Sequence, residues 1–87
     1  HAGAQCNLGN MYEYGRGGLA KDEEKAAHYY QLAAAQGHAE AQYELGSMYK
    51  LGKGDLAKDE KEALRLFQLS AVQGNPFAQY NLGVMYG

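Results

Sequence analysis

The sequence predicts an all-α fold, an α-α superhelix (solenoid) of antiparallel helix pairs with two full repeats plus one extra helix. Three observations carry this. Shifted by 37 positions the chain falls on itself without a gap, and 21 of the first 37 residues are identical one period later. Within each unit the apolar residues recur at helical spacing: Ala41, Leu45, Met48 and Tyr49 follow the i, i+4, i+7, i+8 pattern of one helix face. Helix-start and helix-stop residues then punctuate the pattern at the same places in each copy.

The first helix is expected at about 2–14, opening at His1, a residue in the helix-start place rather than a ligand. A glycine-bearing loop from Gly15 through Lys21 follows, because glycine admits backbone angles closed to other residues. Asp22 then caps a second helix over about 23–36, and Gly37 ends it in a left-handed conformation. The third helix, about 39–51, begins after His38, which like His1 reads as a helix-start residue rather than a ligand, and the fourth, about 60–73, begins after Asp59. Asp59 has Glu62 three residues on, which predicts a reciprocal capping box, whereas Asp22 has Lys25 there and must cap alone. Gly74 closes the fourth helix, and Asn75-Pro76 opens a fifth over about 76–86. Gly9, Gly46 and Gly83 fall inside helices, where glycine costs about 1 kcal/mol relative to alanine. Their recurrence predicts close helix–helix approach, with the Ala-rich second helix (Ala26, Ala27, Ala33, Ala34, Ala35) as a small-residue partner.

The bulk properties describe one small domain, residues 1–87, divided as repeat 1 (1–37), repeat 2 (38–74) and partial repeat 3 (75–87). A chain that starts without Met in phase with a repeat and stops inside one looks excised from a longer protein. The net charge is −2 with both signs interspersed, against the basic stripe of a nucleic-acid surface. No apolar run is long enough for a membrane span, so direct insertion is not expected. Cys6 is the single cysteine, with Tyr43 and Tyr80 at its equivalent places, and reads as a buried structural thiol.

The motifs of the second unit resemble the Sel-one-like repeat, a branch of the tetratricopeptide superfamily. They run Ala39-Glu40-Ala41-Gln42-Tyr43-Glu44-Leu45-Gly46-Ser47-Met48-Tyr49, then Gly52-Lys53-Gly54, Asp59 through Ala63, and Ala71-Val72-Gln73-Gly74. Ordinary tetratricopeptide repeats have a shorter period of about 34 residues. The chain departs from the family's aromatic pair at Leu66-Phe67, while Tyr29-Tyr30 keeps it, and it lacks the paired cysteines of the disulfide-bearing secreted members. The resemblance implies a non-enzymatic scaffold or adaptor that binds a protein or peptide on a concave face lined mostly by the first helix of each pair. It implies no cofactor.

Positions that differ between units on those helices are the candidates to face a partner. They form rows: Cys6, Tyr43 and Tyr80; Asn10, Ser47 and Val84; Glu13 and Lys50; and Gly3, Glu40 and Phe77 at the helix starts. Tyr43 and Tyr80 lead, since aromatic anchors dominate many interfaces, although tyrosines there could equally pack between successive helices. Ser47-Met48-Tyr49-Lys50 matches the S-x-x-K motif of penicillin-binding enzymes, and some relatives are linked to β-lactam binding. Its equivalents begin with Asn10/Glu13, and no K-T-G or S-D-N segment accompanies it, so catalysis there is the minor reading; a purely structural spacer is a third. Glu24 and His28, four apart, read as a solvated charged face rather than a metal pair, because Lys61 and Arg65 replace them. Finally, Leu82, Met85 and Tyr86 on the last helix are expected to expose an apolar face and to promote self-association.

Overall fold

The computed structural model describes residues 1–86; position 87, the last of the partial third repeat, lies outside them. Five helices appear in order: α1 (Ala2–Tyr14), α2 (Glu23–Ala35), α3 (Ala39–Leu51), α4 (Glu60–Val72) and α5 (Pro76–Tyr86). α2 and α4 stop one residue short of the sequence expectation because Gln36 and Gln73 already leave the helix as C-caps. Gly37 and Gly74, at φ 85° and 97°, then complete the turn. The Gly37 and His38 amides donate back to the Ala34 and Ala33 carbonyls, and the Gly74 and Asn75 amides to Ala71 and Ser70. This pairing satisfies carbonyls that a helix end would otherwise orphan.

The start signals divide. Asp22, Asp59 and Asn75 accept through their side chains from Lys25, Glu62 and Ala78 amides at 2.9–3.1 Å. The capping box at Asp59 forms only by half: the Glu62 carboxylate turns outward to Arg65, with contacts of 2.9 and 2.6 Å, rather than back to the cap. An ion pair with a guanidinium fork is a stronger alternative for the carboxylate than one backbone amide. His1 and His38 stand at helix starts as expected, but neither side chain makes a capping bond.

Packing runs between sequence neighbours, α1 on α2, α2 on α3, α3 on α4 and α4 on α5, into a body of 39 × 25 × 18 Å. A helix-repeat array buries its faces this way, one unit against the next. One core cluster joins Cys6, Ala26, Tyr30 and Ala33 to Ala41, Leu45, Met48 and Leu66, and a second gathers Ala63, Phe67 and Ala78. The helix glycines sit where anticipated, but their main neighbours are aromatic rings. A Cβ on Gly9 would come within 2.8 Å of the Tyr30 ring, and one on Gly46 within 2.9 Å of Phe67. Gly83 has nothing within 4 Å.

Two motif glutamines of each repeat tie neighbours together. Gln73 donates to Gln42 Oε1 at 2.7 Å, as Gln36 does to Gln5 one repeat earlier. Gln42 and Gln79 reach the last-turn carbonyls of the preceding helix, at Ala34 (3.5 Å) and Ala71 (3.2 Å). The helix ends that pack between repeats thus have side-chain partners for their last carbonyls.

Candidate functional site

α1, α3 and the start of α5 share one side of the molecule, and a cleft of about 340 Å³ opens between them. It is lined by Tyr14 of α1, by Glu40, Tyr43 and Glu44 of α3, and by Asn75, Pro76 and Phe77. α3 presents its three residues together because helix positions three and four apart lie on one face. Tyr43 is half-buried, its ring centroid 5.9 Å from Phe67 below and 5.7 Å from Phe77 beside it. Phe77 is 63% exposed, so the aromatic wall is anchored at one end and open at the other. On the far side the Arg16 guanidinium lies over the Tyr14 ring, 5.0 Å from its centre.

A polar network runs beneath the cleft between α1 and α2. The Tyr30 hydroxyl lies 2.6 Å from Glu13 Oε1 and 2.8 Å from Asn10 Oδ1. It donates to the carboxylate, the stronger acceptor. Asn10 Nδ2 in turn donates to Glu40 Oε2 across the repeat boundary at 3.2 Å.

Negative charge concentrates here. Burial first, then the Glu13 and Glu40 carboxylates, push Glu44 from 4.5 up to about 7, against a weaker pull from Lys53. Burial, then Glu40 and Glu44, push the Cys6 thiol up to about 12. A thiol so held is a poor nucleophile. Tyr30 is raised by burial and by its bond to Glu13.

Of the residues singled out from sequence, Tyr43, Glu40 and Phe77 line the cleft. Tyr80 is 73% exposed on α5 and is not among the lining residues. Ser47 and Lys50 are half-buried on α3 outside the cleft, and Asn10 is half-buried and engaged by Tyr30 and Glu40. Glu13 corrects the expectation that it faces a partner: it is 7% exposed and bound to Tyr30. Cys6, from the row headed by Tyr43, is 1% exposed, as a structural thiol should be. His28 is exposed and edge-on to Tyr29, and Glu24 is exposed beside it. The last helix needs a second correction for Leu82 and Met85, whereas Tyr86 is exposed as expected. Leu82 and Met85 are half-buried against the Phe67 cluster, and the exposed apolar residues of α5 are Phe77, Tyr80, Val84 and Tyr86.

Sequence reasoning missed Tyr14 and Glu44 as lining residues. Both had a signal in the helical spacing, Tyr14 four residues after Asn10 and Glu44 four after Glu40.

Comparison with known proteins agrees with this architecture. The Sel1 repeat profile matches residues 2–38, 39–75 and 76–87. Among solved structures, a Sel1 repeat protein from Oxalobacter formigenes is 34% identical over 98% of this chain, with a TM-score of 0.91. A protective antigen of uropathogenic Escherichia coli displaying an SLR fold is 37% identical over 99% of it, with a TM-score of 0.89. Cysteine rich protein B of Helicobacter pylori is 32% identical over 88%, with a TM-score of 0.80. The chain spans 34%, 18% and 56% of those three proteins respectively. No functionally curated protein matches the sequence significantly.

Proposed function

From the premise that this chain belongs to the Sel1 repeat family, whose members are generally protein-interaction modules, we propose that it is a non-enzymatic adaptor that binds a peptide or protein surface in the cleft between α1, α3 and α5. The observation that carries this reading is the composition of that cleft: an aromatic wall, Tyr43 with Phe77, beside the Glu40 and Glu44 carboxylates. Such a site favours a segment with an apolar or aromatic anchor flanked by Lys or Arg. Aromatic contact supplies affinity, and charge complementarity supplies orientation and encounter rate.

Selection from a random peptide library on the immobilised protein tests the reading. Enriched peptides should share the apolar-plus-basic pattern, and Tyr43→Ala and Phe77→Ala should each weaken binding by about tenfold, the usual effect of truncating an interface anchor. Helical circular dichroism should be unchanged in Phe77→Ala, whose side chain is largely exposed. Peptides that bind both variants as well as the parent protein would remove the cleft from consideration.

A further inference from the structure

We propose that Cys6, His38 and Glu40 form a binding site for a zinc-like divalent cation at the junction of the first two repeats. Cys6 Sγ, a ring nitrogen of His38 and a carboxylate oxygen of Glu40 all lie within 4.8 Å of one another. Ligand atoms of a tetrahedral zinc, at 2.0–2.3 Å from the metal, stand about 3.5 Å apart. Closing the set therefore takes side-chain rotation of about 1 Å, with both helices left in place. Thiolate, imidazole and carboxylate together are donors for zinc and unsuited to calcium or magnesium, which prefer all-oxygen sets.

Each donor is available for this purpose. The His38 ring makes no capping bond, although the residue stands at the helix start. Cys6 is sealed in the core at 1% exposure, and His38 and Glu40 lie progressively nearer solvent. The site thus opens outward, toward a fourth position that water can fill. Glu40 is already oriented by the Asn10 side-chain amide, which donates to its carboxylate at 3.2 Å. Outer hydrogen bonds of this kind fix the ligands of metal sites. The α3 N-terminus, worth about half a positive charge, opposes a cation there. The Glu40 and Glu44 carboxylates act on Cys6 in the opposite sense. When the metal binds, the Cys6 thiol proton leaves to solvent.

The next junction acts as an internal comparison. One repeat on, Cys6, His38 and Glu40 become Tyr43, Asn75 and Phe77, and the orienting set Asn10, Glu13 and Tyr30 becomes Ser47, Lys50 and Phe67. There the contact is aromatic, Tyr43 against Phe77 at 5.7 Å, and Asn75 caps α5 at 2.9 Å. The fold therefore does not require the donor set at this place, and the donors and their supports are exchanged together.

Titration of the reduced protein with Co(II), followed by displacement with Zn(II), reads the site directly. One equivalent should bind with a thiolate-to-cobalt charge-transfer band. His38→Asn, which installs the residue found at the next junction, should weaken binding by at least about tenfold, as expected when a fixed ligand is lost. Cys6→Ala should abolish the band; if that core variant misfolds, the His38→Asn comparison still decides. Saturable binding without a thiolate band, no saturable binding, or an unchanged titration in His38→Asn would each overturn the proposal. The peptide test above uses Tyr43 and Phe77, so the two readings fail separately.

Discussion

The Tyr30 hydroxyl has one proton to give, and it gives it to a carboxylate from which water is almost excluded. Removing that donor leaves Glu13 buried and under-satisfied. Tyr30→Phe should therefore lower stability by about 1–3 kcal/mol in urea unfolding. Adding Asn10→Ser and Glu13→Lys, the residues that accompany Phe67 in the second repeat, should recover part of the loss. Glu44 predicts a pH effect of definite sign. In the folded chain it holds its proton up to about 7, against an ordinary value of 4.5. Between those values the folded state binds more protons than the unfolded one, so stability falls as pH rises through the interval. The melting temperature should decline from pH 4.5 toward pH 7, and Glu44→Gln should flatten that decline. These groups also explain why comparing repeats misplaced Glu13. A position can vary between copies because its internal partner varies with it: Glu13 and Tyr30 in one unit, Lys50 and Phe67 in the next.

At the scale of the helix, spacing and punctuation are local, so boundaries were readable to within a residue. Asp22 bonds an amide three positions away, and Gly37 reverses the chain by its own φ of 85°. Neither needs the rest of the molecule. The interior glycines depend on what packs against them, which makes one prediction with two signs. Gly46→Ala places a methyl 2.9 Å from the Phe67 ring, and should destabilise by about 1–3 kcal/mol through overpacking, less the helix-propensity gain. Gly83→Ala meets nothing within 4 Å, and should stabilise by up to about 1 kcal/mol. Thermal or urea unfolding of the two variants checks both. The capping box at Asp59 shows where local reading stops: the sequence offers Glu62 two partners, and the competition with Arg65 is settled by side-chain geometry.

For the whole molecule, burial follows position in the stack rather than residue type. Leu45 and Met48 are buried in the middle, whereas their equivalents Leu8 and Met11 in α1 and Leu82 and Met85 in α5 are half-buried. On α5 the exposed residues Phe77, Tyr80 and Val84 share one helix face, a patch that favours association. We propose that the 87-residue chain self-associates through this helix. Its mass by light scattering should rise with concentration, and Tyr80→Glu with Val84→Glu should hold it monomeric. No helix among the described residues is long and apolar enough to cross a membrane.

The 37-residue period, the cap residues and the helical spacing were sufficient by themselves for the helices, their order and the repeat architecture. Each depends on interactions within a few residues or on identity between copies. Tertiary structure alone decided which variable positions are surface, because that turns on neighbours 17 or more residues away in the chain: Asn10 with Glu40, Glu13 with Tyr30, and Tyr43 with Phe77. It also decided that a lone cysteine and a helix-start histidine meet. Cys6 and His38 come from different repeats, and only the packing of α1 and α3 on α2 brings their donor atoms within 4.8 Å.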